Sequence, residues 1–136
     1  MRLVLDTNVL IAAFVSRGVC HDLLEHCERA HVLVTSDVIL REFQAKLPGK
    51  LKVPAATAAT AVALVRGRCE VVRPEPLDPP ACRDPDGDWV LATAVAGECA
   101  CIVTGDRDLL ALDPFGEIRV VAPGAFWMFE AGLAQA

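Results

Sequence analysis

The stretch Arg2-Leu3-Val4-Leu5-Asp6-Thr7-Asn8, followed at once by the apolar run 9–15, decides the fold of this chain. Three aliphatic residues in a row, then a carboxylate and a helix-length apolar segment, are typical of a buried parallel strand that leads into a helix. Asp6 is therefore predicted at the carboxyl end of a strand. Ligands of open α/β sheets bind beyond these carboxyl ends, so Asp6 is the first candidate for a functional residue.

Short apolar strands alternate with helix-length segments along the rest of the chain. Further strands are predicted at 32–35, 69–72, 101–104 and 118–121, and helices at 19–29, 38–47, 55–68 and 86–96. Pro48-Gly49 is expected to stop one helix, and the segment from Arg73 to Pro85, which contains five prolines, is predicted to be a surface loop. This alternation predicts a three-layer α/β/α fold with a central parallel sheet of about five strands.

The bulk composition favours one soluble domain spanning residues 1–136, of which 54% are hydrophobic. No apolar run reaches the roughly 20 residues of a spanning helix, so no membrane association is expected. The start of the chain lacks signal-peptide features, which favours a cytoplasmic protein with its six cysteines as buried free thiols. The net charge of −5 argues against a general electrostatic grip on nucleic acid.

Four carboxylates are placed where they can meet. Asp6 and Asp106 each follow a predicted strand, Asp88 begins a predicted helix, and Glu42 borders the buried face of another helix. Carboxylates that lie close together raise one another's pKa unless a cation neutralises them. An all-oxygen ligand set favours Mg²⁺ or Mn²⁺ over Zn²⁺, and such sites serve nucleases and phosphatases.

Each of these acids also has an ordinary structural explanation. Asp6 can be a helix cap, Glu42 can lie on a solvated helix face, and Asp88 can be an acid that favours a helix dipole. Asp106 and Asp108 can form a turn and cap before the next helix. Only their combination indicates a functional site.

Four segments of the chain resemble PIN-domain ribonucleases, particularly the VapC-like toxins of bacterial toxin–antitoxin pairs. They are residues 5–10, 35–43, 83–92 and 103–110, which occur in the family's order and together span most of the chain. The resemblance implies a central pocket, Mg²⁺ or Mn²⁺ as cofactor and hydrolysis of single-stranded or loop RNA. It also implies a small antitoxin partner and a homodimer.

The resemblance also implies roles for individual residues. The catalytic, metal-binding quartet would be Asp6, Glu42, Asp88 and Asp106. Residues expected to hydrogen-bond these ligands or a metal-bound water are Thr7, Asn8, Thr104 and Asp108. Basic residues expected to contact RNA phosphates are Arg41, Lys46, Lys50 and Lys52.

The sequence offers three candidates for the third acid of the quartet. Asp84 and Asp86 compete with Asp88, and Gly87 stands where the family often has another acid. Asp88 is favoured because Leu91 and Ala92 follow it at the family's spacing.

Two other functions stay open on the sequence alone. One is a PIN-fold protein-interaction module whose site is catalytically inactive. The other is a receiver-type phospho-acceptor domain, which needs a lysine at the end of its last strand. No lysine occurs after Lys52, so the receiver domain is the weaker alternative.

Overall fold

The computed structural model describes residues 1–134, apart from the side chains of Lys50, Leu51 and Ala134. The strands are β1 Arg2–Leu5, β2 Val32–Ser36, β3 Glu70–Val72, β4 Cys101–Val103 and β5 Arg119–Val121. The helices are α1 Thr7–Val15, α2 Val19–Ala30, α3 Asp37–Leu51, α4 Ala55–Arg68, α5 Pro85–Ala96, α6 Arg107–Leu110 and α7 Phe126–Ala134. A 3₁₀ turn at Pro123–Ala125 precedes α7.

The five strands form one sheet in the order β3-β2-β1-β4-β5, and every neighbouring pair is parallel. The central strand β1 places Leu3 opposite Leu33 of β2 and Cys101 of β4. Leu3, Val4 and Leu5 are almost fully buried, as expected of a strand covered on both faces. The predicted parallel sheet of about five strands is confirmed.

Helices cover both faces of this sheet. The helices α1 to α4 belong to the crossovers from β1 to β2 and from β2 to β3, whereas α5 leads back across the sheet to β4. Because parallel crossovers are right-handed, this reversal of direction puts α5 on the opposite face. Contacts agree: α1 packs on α2 and α3, and α5 packs on β1, β2 and β4. The predicted three-layer α/β/α architecture is confirmed.

The reversal of strand order lies between β1 and β4. Chains that leave these two strands diverge to opposite sides, which opens a crevice at their carboxyl ends. The backbone N–H of Asp6 donates to the carbonyl of Val103 at 3.0 Å, so the first residue after β1 is still tied to β4. Asp6 therefore lies at the floor of this crevice.

The predicted helix stop at Pro48-Gly49 is wrong, because α3 continues through Pro48 to Leu51. Proline removes one backbone hydrogen bond, but Leu47 is buried in the core and helps to keep this turn of the helix against the protein. Lys52 directly follows the helix with a left-handed φ of 54°, and the N–H groups of Lys52 and Val53 both donate to the carbonyl of Leu47.

The cysteines are free thiols throughout residues 1–134, as predicted, but only Cys27, Cys99 and Cys101 are fully buried. The other three are half-buried. Among the helices of this described part of the chain, none combines the length and apolarity needed to cross a membrane.

Candidate active site

Asp6 is the buried centre of the site. It caps the amino terminus of α1, and its Oδ1 accepts a hydrogen bond from the Thr7 N–H at 2.7 Å. Its Oδ2 accepts a hydrogen bond from the Thr104 hydroxyl at 2.6 Å. Burial raises the pKa of Asp6, the two hydrogen bonds oppose that rise, and the charges of Glu42 and Asp106 add to it.

Thr104 connects Asp6 to Asp106. Its O–H donates to Asp6, and the same oxygen accepts a hydrogen bond from the N–H of Asp106 at 3.0 Å. The Thr104 side chain is fully buried at the end of β4. This single hydroxyl therefore orients one acid of the site directly and the backbone of another.

Glu42 and Lys46 enter from α3. They lie one helical turn apart, and the Lys46 ammonium is 2.7 Å from Glu42 Oε1. This ion pair raises the pKa of Lys46, and the charges of Asp86 and Asp6 act in the same direction. Lys46 is therefore the cation that faces the carboxylates of this site.

The third element, α5, contributes Asp84 and Asp86. Asp84 caps the helix, and its Oδ1 accepts the N–H of Asp86 at 2.9 Å. Asp86 is exposed; limited desolvation and then the charges of Glu42 and Asp84 raise its pKa, whereas Lys46 lowers it. Asp86 and Asp6 therefore share Glu42 as a neighbouring charge.

These side chains line one open cavity of about 110 Å³ at the carboxyl edge of the sheet. The lining residues are Asp6, Asn8, Glu42, Lys46, Asp84, Asp86, Gly87, Asp106 and Leu109. Among the side chains that the structure describes, five carboxylates and Lys46 line the cavity, which gives it a strong excess of negative charge. We call this set of residues the acidic pocket.

Asp88 lies outside the acidic pocket. Its Oδ1 accepts two backbone hydrogen bonds from the preceding loop, from Ala81 at 2.9 Å and from Cys82 at 2.8 Å. It borders a different cavity, together with Pro76, Leu77, Pro85 and Trp89. The structure thus brings Asp6, Glu42 and Asp106 together with Asp84 and Asp86, and uses Asp88 to hold the loop.

Comparison with known protein families gives a match to a PIN domain model over residues 2–108. The chain belongs to the PIN domain family. The match covers the sheet through β4 and every residue of the acidic pocket except Leu109. Among curated protein sequences, none matches this PIN domain significantly.

Solved structures share its fold at low sequence identity. VapBC2 from Rickettsia felis, bound to a DNA fragment from their promoter, is 14% identical, with a TM-score of 0.65 over 90% of this chain and 98% of that one. VapBC-1 from nontypeable Haemophilus influenzae is 15% identical, with a TM-score of 0.66 over 91% and 99%. PAE2754 from Pyrobaculum aerophilum is 17% identical, with a TM-score of 0.62 over 97% and 90%.

The residues predicted to hydrogen-bond the candidate metal-binding acids of this PIN domain have different surroundings. Asn8 is exposed and lines the acidic pocket, whereas Asp108 is exposed outside it, with its N–H bonded to Asp106 Oδ1 at 2.8 Å. The Thr7 hydroxyl is buried and has no hydrogen-bond partner within the described residues. Thr7 thus acts on Asp6 through its backbone N–H.

The basic residues expected to contact RNA are spread over α3. Lys46 lies in the acidic pocket, and Lys52 is exposed at the end of the helix. Arg41 is exposed and donates through Nε to the carbonyl of Asp37 at 3.2 Å. The side chain of Lys50 lies outside the described residues.

Two features of this site were missed at the sequence level. The first, the ion pair of Lys46 with Glu42, could have been predicted from the sequence, because residues four apart on a helix are neighbours. A second cavity, of about 300 Å³, brings Arg41 together with Arg73 and Trp89. That grouping joins three separate segments, and no local pattern predicts it.

The acidic pocket fits a hard divalent cation. Its ligand candidates are carboxylate oxygens, the donors that Mg²⁺ and Mn²⁺ prefer. The raised pKa values of Asp6 and Asp86 both include repulsion from neighbouring carboxylates, and a bound cation would relieve that repulsion. Among the residues that the structure describes, no three of these carboxylates bring their oxygens within 4.8 Å of one another, so a bound ion would have to draw them together.

Proposed function

We propose that this PIN domain is a Mg²⁺- or Mn²⁺-dependent endoribonuclease that cleaves single-stranded or loop RNA, and that it is the toxin of a toxin–antitoxin pair. The observation that carries the proposal is the convergence of Asp6, Glu42, Asp86 and Asp106 from four different elements on one pocket. Lys46 compensates only part of the charge of these carboxylates, and metal-dependent phosphodiester hydrolysis is the chemistry that uses such an acidic group.

We propose Asp86, and not Asp88, as the third metal-binding acid. Asp86 is exposed, but limited desolvation and the nearby charge of Glu42 still raise its pKa, as expected for a residue at the rim of the cluster. Both hydrogen bonds of Asp88 Oδ1 go to loop backbone instead. Asp88 then acts by holding the loop at residues 81–82 against the start of α5.

When bound, Mg²⁺ or Mn²⁺ would polarise the phosphodiester and lower the pKa of an attacking water. The protein's own residues provide orientation and charge. Thr104 and the Thr7 N–H hold both oxygens of Asp6 in fixed positions. Lys46, which is 37% exposed at the pocket, provides a positive charge for an RNA phosphate.

The cavity formed by Arg41, Arg73 and Trp89 is a suitable continuation for an RNA strand. Its guanidinium groups can pair with phosphates, and the half-buried indole offers a surface for base stacking. It adjoins α3 and the end of β3, on the same carboxyl edge of the sheet as the acidic pocket. This arrangement supports a substrate with unstacked bases over a regular duplex.

The test is cleavage of end-labelled single-stranded RNA by the purified chain in Mg²⁺, in Mn²⁺ and in EDTA. We expect metal-dependent cleavage that Asp86→Asn lowers by about 100-fold or more, as for loss of a group that stabilises the transition state. Asp88→Asn should have a smaller effect, and Glu117→Gln, an exposed acid before β5, should have none. Equal losses for Asp86→Asn and Asp88→Asn would refute the assignment of the third acid.

One observation favours the inactive interaction module as the second candidate. The 2.7 Å ion pair with Lys46 already neutralises Glu42, so the protein itself provides part of the charge that a metal would provide. Calorimetric titration with Mn²⁺ separates the two functions. Saturable binding that Asp6→Asn abolishes, together with RNA cleavage, supports the nuclease, whereas a folded chain without either property is the inactive module.

The proposed antitoxin partner has its own test. Two of the structures that share the fold are VapBC structures, and the four sequence segments resemble PIN toxins. Expression of this chain alone should arrest bacterial growth, and Asp6→Asn should restore it. Co-expression with a short neighbouring reading frame should also restore growth and yield a co-purifying complex, whose mass by light scattering also tests the proposed homodimer.

A further inference from the structure

Two histidines and a glutamate meet far from the acidic pocket. The Nε2 atoms of His26 and His31 each lie 2.6 Å from Oε2 of Glu130. The three candidate ligand atoms are all within 4.8 Å of one another. His26 lies near the end of α2, His31 directly follows that helix, and Glu130 lies on α7 about a hundred residues later. We call these residues the histidine cluster.

We propose that the histidine cluster is a second metal site, for Zn²⁺ or a similar borderline transition-metal ion. Two imidazole nitrogens and one carboxylate oxygen form a ligand set that Zn²⁺ uses when a fourth position stays open. Nitrogen ligands select against Mg²⁺, whereas the all-oxygen acidic pocket selects for it. The two sites of the protein would therefore take different ions.

Neighbouring side chains hold the rings so that the two Nε2 atoms face the same point. The indole of Trp127 lies 4.8 Å from the His26 ring, and the buried Phe126 contacts the His31 ring edge-on at 6.2 Å. The other ring nitrogen of His31, Nδ1, lies 3.1 Å from the backbone nitrogen of Met1. These apolar walls fix the ring orientations. The Met1 ammonium is itself a donor, so a metal on Nε2 of His31, which leaves the proton on Nδ1, would break this contact with Met1.

A zinc ion would fit between these three side chains after a small increase in the distances between their ligand atoms. Ligand bonds of about 2.1 Å in a tetrahedral site separate the ligand atoms by roughly 3.4 Å, compared with the 2.6 Å between each histidine and Glu130. A movement of the Glu130 carboxylate by about 1 Å provides this space. The side chains are 14% to 29% exposed, so a water can complete the coordination.

The position of the cluster separates it from the nuclease chemistry. His31 precedes β2, so the cluster lies at the amino ends of the strands, opposite the carboxyl edge that carries the acidic pocket. Glu130 also lies beyond residues 2–108, the segment that matches the PIN domain model. A metal here would tie α7 to the end of α2, and its test is independent of RNA cleavage.

The alternative is a tie made only by hydrogen bonds, in which both imidazole N–H groups donate to Glu130. Titration of the full chain with Zn²⁺ under reducing conditions, followed by calorimetry, distinguishes the two. We expect one tight site that Mg²⁺ does not displace and that Asp6→Asn retains. Glu130→Gln and His26→Gln should each weaken it by more than about 100-fold, because loss of a ligand exceeds the 10- to 100-fold effect of losing a ligand's hydrogen-bond partner.

His21→Gln is the matched control, because His21 lies on the same helix but faces Glu25 at 3.4 Å, outside the cluster. It should leave Zn²⁺ affinity unchanged. Zn²⁺ should raise the melting temperature of the wild-type protein and of His21→Gln, but not of a folded Glu130→Gln or His26→Gln variant. The visible spectrum of bound Co²⁺ reports the ligand types, since thiolate ligands give an intense near-ultraviolet band.

Three results would overturn the proposal. They are the absence of a saturable Zn²⁺ site in the folded protein, equal affinity in Glu130→Gln and the wild type, and a Co²⁺ spectrum dominated by thiolate ligation. The first would leave the hydrogen-bonded tie as the role of the cluster. The other two would assign the bound metal to other residues.

Discussion

Thr104 offers the most direct test of how the protein holds its central carboxylate. Its buried hydroxyl donates to Asp6 Oδ2 at 2.6 Å and accepts the N–H of Asp106 at 3.0 Å. Thr104→Val keeps the shape of the side chain but removes both hydrogen bonds. Because the first of these bonds stabilises the ionised form of Asp6, its loss raises the pKa of Asp6 further above the ordinary carboxyl value.

The magnitude follows from the charged hydrogen bond. Such a bond contributes about 1.5 to 3 kcal/mol, and each 1.4 kcal/mol is a factor of ten in an equilibrium constant. We therefore expect Mn²⁺ affinity at neutral pH to fall by roughly 10- to 100-fold, which is also the usual effect of losing a ligand's hydrogen-bond partner. The acid limb of the activity profile should move to higher pH, because metal competes with a proton for Asp6.

The assay is calorimetric titration with Mn²⁺ at several pH values, together with the pH dependence of RNA cleavage. Thr104→Ser retains the hydroxyl and is the matched control, so it should keep most of the metal affinity. If Thr104→Val binds Mn²⁺ as tightly as the wild type with an unshifted acid limb, the hydroxyl does not support Asp6 and the reasoning fails.

Two further predictions concern stability. Asp6→Asn should raise the free energy of unfolding in metal-free buffer at neutral pH, although it abolishes activity, because the wild-type protein buries a charge beside Glu42 and Asp106. A carboxyl with a raised folded-state pKa binds protons more tightly in the folded state, so the gain should shrink as pH falls through that pKa and vanish below the unfolded value. Urea denaturation in EDTA at several pH values measures the difference in free energy of unfolding between the variant and the wild type. A variant no more stable than the wild type at neutral pH would contradict the argument. Phe43→Ala, which empties a fully buried position next to Glu42, should cost about 3 to 5 kcal/mol in the same assay. A cost below about 1 kcal/mol would mean that α3 does not depend on this contact.

The fold was largely predictable because its determinants are local. Each buried strand is a short apolar run, and each crossover helix carries its own apolar stripe, so the order of elements follows from the sequence. The one clear error, the early stop of α3, arose where a proline conflicts with tertiary packing. The buried Leu47 helps to keep that turn helical in spite of Pro48.

The site was predictable only where an acid follows a strand. Asp6 and Asp106 leave neighbouring parallel strands at the same edge, so their proximity follows from the sheet topology. For Glu42 the sequence indicates only that it borders the buried face of a helix, and the packing of α3 turns that border toward Asp6.

The choice among the acids at the start of α5 needed the tertiary structure. Successive residues of a helix point about 100° apart, so Asp86 and Asp88 face directions that differ by roughly 200°. The rotation of α5 about its axis, set by its packing on β1, β2 and β4, decides which of them faces the acidic pocket. The spacing of residues in the sequence does not predict how α5 is rotated about its axis.

By itself, then, the sequence determined the strand that begins the chain, the carboxylate at its end and the family to which its four segments belong. These depend on hydrophobic runs and on residues adjacent along the chain. The tertiary structure decided that Asp86, and not Asp88, lines the acidic pocket. It also placed the ion pair of Lys46 with Glu42 in that pocket and brought His26 and His31 together with Glu130. Such contacts depend on how packed helices are rotated and on segments about a hundred residues apart, which only the folded chain brings together.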